Sequence, residues 1–151
     1  MASARRRKNT NPLSRVLKGL LVVAGLYAVV LVGRGLWMNT GTPELVDVQG
    51  FVDHGDIPVS QPIRSELVLR NEGSGPLRLT EAPFVQVVEG CCPPEVHASR
   101  TVVPPGEEVV IYMDYTMHAG MGGPHDFRVH VMTNDPNQPV VQLQVLSNWL
   151  E

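Results

Sequence analysis

The chain has 151 residues, 43% of them hydrophobic, with a formal net charge of −3 and only two cysteines. That length is ordinary for one domain. Arg5, Arg6, Arg7, Lys8, Arg15, Lys18 and Arg34 all precede the first acid, Glu44, and from Glu44 onward five arginines stand against all fifteen acids. A body of that sign repels phosphate backbones, which argues against nucleic acid as a partner.

The basic start leads into fifteen residues without a charge, from Gly19 to Gly33. A helix needs about 20 apolar residues to span a bilayer. Val16, Leu17, Leu36 and Trp37 supply the missing length if Lys18 and Arg34 snorkel to the two interfaces. The expected organisation is a basic cytoplasmic arm over 1–15, a transmembrane signal anchor over 16–38, a linker over 39–43 and an outer domain over 44–151. The excess of positive charge before the span keeps the amino terminus in the cytoplasm and puts the rest outside the cell membrane, in single-pass topology. The rival reading is a cleaved signal peptide, but no A-x-A-like site follows Val32.

Beyond the linker the pattern is strand-like. An opening strand near Leu45 to Phe51 precedes Ile63, Ser65, Leu67 and Leu69, which alternate with Arg64, Glu66, Val68 and Arg70. A turn at Asn71–Gly75 follows, and one strand reading runs from Leu77 to Val88 ahead of Cys91-Cys92. A weaker strand covers Ala98 to Val103. Val109, Ile111, Met113 and Tyr115 alternate, as do Phe127, Val129 and Val131, and Val141, Leu143 and Val145 close the series after a turn at Asn134–Asn137. About seven short strands of this kind predict an all-β fold, an Ig-like antiparallel β-sandwich, with a small antiparallel barrel as the alternative.

Asn71-x-Gly73-x-Gly75-Pro76-Leu77, Gly90-Cys91-Cys92, Pro105-Gly106-Glu107 and Thr133-Asn134-Asp135-Pro136 occur in that order. In this the chain resembles a bacterial extracytoplasmic family of Ig-like domains of unknown function, related to abnormal-spindle/hydin-type domains. The resemblance spans roughly residues 44 to 149 and implies the fold rather than an activity. Two features depart from it. The family usually shows Cys-Gly-Cys where this chain has Gly90-Cys91-Cys92, and the loop from Thr116 to Phe127 is not a general family feature.

That loop carries the chemistry. It reads Met117-His118-Ala119-Gly120-Met121-Gly122-Gly123-Pro124-His125. Two adjacent cysteines have no distant partner, and neighbouring Cα atoms about 3.8 Å apart are closer than an ordinary disulfide allows. Three readings stand: a shared metal, a labile vicinal bridge, or two inert small side chains. Thiolate, thioether and imidazole form the ligand set of a soft ion, above all Cu(I). The candidate metal ligands are Cys91, Cys92, His118, Met121, His125 and Met117, the last equally suited to core packing. Zn(II) on Cys91, Cys92, His118 and His125 is the alternative, and vicinal thiols also suit Hg(II). The bland alternative for the loop is a Gly-rich turn with solvated histidines.

Strand counting puts the Met/His loop at the cysteine end of the sandwich, opposite the turns at Asn71 and Asn134. A hairpin joining the strands on either side of the loop would pair Tyr115 with Val129, Met113 with Val131, His118 with Asp126, Asp114 with His130 and Tyr112 with Met132. His54 and His97 read as isolated surface residues. No enzyme signature occurs, and none of the usual nucleophile, phosphate-loop or metalloprotease motifs is present. The leading expectation is an anchored Cu(I)-binding protein for delivery, storage or detoxification. The alternative is a metal-free module contacting an envelope protein partner, and a vicinal thiol–disulfide redox protein ranks third.

Overall fold

The computed structural model describes residues 12–37 and 40–151. Arg5, Arg6, Arg7 and Lys8 of the expected basic arm, and Met38 and Asn39 where anchor meets linker, lie outside the described residues, as do the side chains of Leu36 and Trp37. The chain divides into two units, Met1–Trp37 and Met38–Glu151.

The first unit is helix α1, Pro12–Trp37. Proline suits a first helical position, where its missing N–H leaves no bond unmade. Within α1 the 21 residues Arg15–Gly35 are long and apolar enough to cross a membrane. Their apolar side chains are exposed on every side, as they would be in a helix solvated by lipid.

The second unit is an Ig-like sandwich of two four-stranded sheets. One sheet has the order β1 (Leu45–Gln49), β3 (Ile63–Asn71), β8 (Glu108–Tyr115), β6 (Glu95–Ala98). The other has the order β2 (Phe51–Pro58), β10 (Val140–Leu150), β9 (Gly123–Met132), β5 (Phe84–Glu89). A short pair, β4 (Leu77–Arg78) with β7 (Val102–Val103), completes it. Period-two alternation produces the core directly: Leu67, Leu69, Val109, Ile111, Met113, Phe127, Val129, Val131, Leu143 and Val145 are all buried between the sheets. Ser65 falls on the same inward face.

Four expectations about the strands need correction. β8 and β9 do not form a hairpin: they belong to different sheets, β8 pairing with β3 and β6, and β9 with β10 and β5. Asp114 therefore meets Arg64, at 2.6 Å and 2.9 Å, and not His130. His130 Nε2 donates to Gln86 Oε1 at 2.9 Å and its ring stacks on Phe84. Asp126 aligns with Leu146 and Glu89, not His118, and Met132 aligns with Val140, not Tyr112. The strand β2 was not read as separate, and it pairs with β10 in parallel, so the sandwich is not wholly antiparallel. The runs Leu77–Val88 and Ala98–Val103 are each broken, the first into β4 and β5, the second where β6 gives way to β7.

Candidate metal centre

Two connections cross from one sheet to the other at the same end of the sandwich. Residues 90–94 carry the chain from β5 to β6, and residues 116–122 carry it from β8 to β9. The cysteines ride on the first crossover and the Met/His loop on the second, so the two halves of the expected site do meet. Strand counting places the loop at the cysteine end, where it lies; the hairpin pairing, a separate expectation, is the part that fails.

Register fixes the closest contact. β5 pairs with β9 through Val87↔Phe127 and Glu89↔Asp126, with a bulge between. The chain leaving Glu89 thus emerges beside His125. Gly90 lies at φ +96°, and a Cβ there would stand 2.2 Å from His125 Cδ2. Only glycine permits both that backbone and that approach. Cys91 then places Sγ 4.0 Å from His125 Nε2.

His125 is almost fully buried, at 3% exposure, with its ring against Phe127. Its Nδ1 lies 3.1 Å from the carbonyl oxygen of Gly123. A carbonyl only accepts, so Nδ1 donates there, and in the neutral imidazole Nε2 presents its lone pair to the thiol. A backbone carbonyl holding the far nitrogen is the usual support of a metal-ligating imidazole.

Cys92 follows at φ +53°, a left-handed conformation uncommon for a residue with a side chain, and its side chain is exposed. The Cys92 thiol hydrogen-bonds to that of Cys91 and, with burial, holds the Cys91 pKa above its ordinary value. Pro93-Pro94 ends the crossover.

Cys92, Met117, His118 and Met121 share a cleft of about 310 Å³. Met117 is a core residue at 2% exposure that also borders the cleft, while Met121 is half-buried against the core and His118 is exposed. Met121 N–H donates to the His118 carbonyl at 2.9 Å. The carboxylate of Glu151 accepts from Gly120 N–H at 2.9 Å and from Gly122 N–H at 3.1 Å. Nothing in the sequence marks Glu151, one residue beyond β10, as the clasp of a distant loop.

The six candidate ligands therefore fall into two groups: Cys91 with His125 within, and Cys92, His118 and Met121 around the cleft, bordered by Met117. Among the described residues no three His, Cys, Asp or Glu side chains converge as a metal cluster. The Cys2His2 set imagined for Zn(II) is thus not assembled, because His118 and His125 sit in different groups. His54 is not isolated: it hydrogen-bonds to Ser65 at 2.8 Å and meets the Tyr115 ring edge-on. His97 is exposed and packs against Tyr112.

No protein-family model matches the chain, and no curated protein matches it. Among solved structures it is similar to a protein of unknown function from Porphyromonas gingivalis, with 24% identity, a TM-score of 0.54 and 74% of this chain covered. It is also similar to the secreted serine protease VesC from Vibrio cholerae, with 14% identity, a TM-score of 0.50 and 73% covered. A third is a PapD-like domain of human CEP192, at 12% identity and a TM-score of 0.46, with 73% of this chain and 86% of that one covered. The chain spans 48% of the first of these proteins and 23% of the second. The first two likenesses show the fold of the outer unit.

Proposed function

We propose that this is a membrane-anchored protein whose outer domain binds Cu(I) outside the cytoplasm, for delivery, storage or detoxification. The anchor is α1, with the basic arm holding the amino terminus inside. The domain fits the bacterial extracytoplasmic Ig-like group related to abnormal-spindle/hydin domains. One observation carries the metal reading: His125 Nε2 faces Cys91 Sγ at 4.0 Å while Nδ1 is held by the Gly123 carbonyl.

The spacing favours a soft ion of low coordination number. With metal bonds of roughly 2.3 Å to sulfur and roughly 2.0 Å to nitrogen, a tetrahedral centre brings the two donors to about 3.5 Å. The separation of 4.0 Å suits a more open angle. Cu(I) accepts that and takes thioether as well, whereas Zn(II) asks for four donors that the fold leaves apart. Met121 and Cys92, one on each crossover, are the further candidate ligands.

The test is a Cu(I) titration of the reduced, detergent-solubilised protein against a chromophoric chelator, under anaerobic conditions. One tight equivalent is expected, lost in Cys91→Ser/Cys92→Ser. Equal uptake by both proteins, or none by either, would sink the proposal.

A second reading, a metal-free Ig-like module contacting an envelope protein, draws on the outer face of the β2–β10–β9–β5 sheet. There Phe84 stacks on His130 and stays 45% exposed, beside Met132 and Val140. Retained partner capture by a Cys91→Ser/Cys92→Ser variant, lost in Phe84→Ser, would transfer the function to that face.

A further inference from the structure

The two cysteines are adjacent in sequence, yet their surroundings differ sharply. Cys91 is half-buried, packs against the hydrophobic core and faces a buried imidazole. Cys92 is exposed and opens on the cleft shared with His118 and Met121. Gly90 and Phe127 pack against the His125 ring, and Cys91 Sγ lies 4.0 Å from its Nε2. Cys92, the exposed neighbour of that pair, carries a thiol hydrogen-bonded to Cys91 and lines the open cleft.

We propose, resting on the Cu(I) reading above, that Cys91 and His125 are the resident ligands of the site and Cys92 is its exchange ligand, receiving Cu(I) from a thiolate-bearing carrier across the cleft. As the ion arrives, the Cys92 thiol loses its proton to solvent and its sulfur bonds to Cu(I) while the carrier's sulfur–copper bond breaks. Cys91, likewise deprotonated, and His125 Nε2 then take the ion, and Cys92 is released to be reprotonated. No electron changes hands, and copper remains Cu(I) throughout. Met121 suits the intermediate stage, since a neutral thioether holds a soft ion without adding charge. The Cys92 thiol hydrogen-bonds to that of Cys91, so the ion passes from one sulfur directly to the other.

The prediction is kinetic. A ligand that speeds passage without holding the ion at rest changes uptake and release by the same factor and leaves the equilibrium where it was. The test uses full-length protein in detergent, with Cu(I) presented as its glutathione complex and exchange followed by stopped flow against a chromophoric chelator. Circular dichroism melts check that each variant folds. Cys91→Ser and His125→Asn should lose affinity by roughly 100-fold. Cys92→Ser should keep affinity within about threefold while uptake and release both slow by about tenfold or more, and copper-edge absorption should still report one sulfur and one nitrogen in the resident shell.

If Cys92→Ser loses as much affinity as Cys91→Ser, both thiols hold the resting ion and the inference fails while the Cu(I) reading stands. If Cys92→Ser leaves rates and affinity alike untouched, the inference also fails. A wild-type protein that takes no Cu(I) from the complex ends both.

Discussion

The two ends of the sandwich both bury polar side chains, and they use them in opposite ways. At the turn end, Asn71 is fully buried and every hydrogen-bonding position of its amide is occupied. Its Nδ2 donates to the carbonyls of Gly75 and Val103, each at 2.8 Å, and its Oδ1 accepts from Glu44 and Gly73 N–H. Asp135 likewise accepts from Leu45 N–H at 2.7 Å and Asn137 N–H at 2.8 Å. At the cysteine end, His125 is as deeply buried, but only its Nδ1 has a hard partner, and Nε2 looks onto a thiol at 4.0 Å. Saturated polar groups hold loops in place. The thiol facing Nε2 is a weak donor, so this end is held more loosely than the turn end.

Breaking the turn end should therefore cost stability and spare the site. Asn71→Ala strands four backbone groups, and roughly 3 kcal/mol should be lost in urea unfolding. The folded fraction should still take up Cu(I) at the wild-type stoichiometry. A loss below about 1 kcal/mol would mean that water replaces the amide and that the two ends are less different than their geometry implies.

The cysteine end should respond the other way. Gly90→Ala imposes both a left-handed alanine and a Cβ 2.2 Å from the His125 ring. About 2 kcal/mol of stability should go, together with most of the Cu(I) affinity as the ring is pushed aside. Gly106 is the matched control, at φ +80° with nothing within 4 Å of its absent Cβ. Gly106→Ala should cost about 1 kcal/mol and leave affinity unchanged. If both variants lower affinity equally, the effect is general loosening and not displacement of His125.

A smaller effect tests whether the thiols are the ligands. The Cys91 pKa lies above the ordinary thiol value of 9.0, raised first by the Cys92 hydrogen bond and then by burial. Near neutral pH a metal must therefore displace a proton to bind Cys91. Apparent Cu(I) affinity should rise about tenfold per pH unit for each proton released, and fall by the same factor on acidification. A flat profile between about pH 6 and pH 8 would remove the thiol from the ligand set.

What the sequence could reveal follows the same division. Alternation reports which face a residue takes, so Met113, Ile111, Phe127 and Val129 were legible as core whichever strand lay alongside. It does not name the neighbour, and a loop rich in glycine reads alike whether it closes a hairpin or crosses between sheets. That is why the β8–β9 pairing was misread while the location of the loop was not. β2 was hidden because Asp53, Gly55, Asp56 and Pro58 are turn residues by composition; it forms a strand because β10 supplies a parallel partner, with a register shift between Leu146 and Asn148. At the site, residue type suggested six ligands. Their sorting into an inner pair and an outer set depends on the bulge at β5 and the position of Gly90, which are properties of pairing.

The smallest expected effect belongs to His54, which lies between the two kinds of polar residue. It sits in β2 with Nε2 bonded to Ser65 at 2.8 Å and its ring edge-on to Tyr115. Burial pushes its pKa below the ordinary 6.5, and Asp53 recovers part of the shift. Below 6.5 the unfolded chain binds the proton before the folded one does, so the unfolding free energy falls as pH drops through that value, down to the folded pKa. Above 6.5 the histidine is neutral in both states and contributes no slope. Asp114, whose pKa is lowered by the hydrogen bond from Arg64, loses its contribution only below 3.8, well outside that window. The urea midpoint should thus decline modestly from about pH 6.5 to pH 5 and should do so less in His54→Gln, which keeps a side-chain amide for Ser65 but takes up no proton. Cu(I) affinity at pH 7 should be the same in both proteins. A His54→Gln variant that kept the full acid slope would assign that slope to other groups, and one that lost copper would extend the metal site into the core.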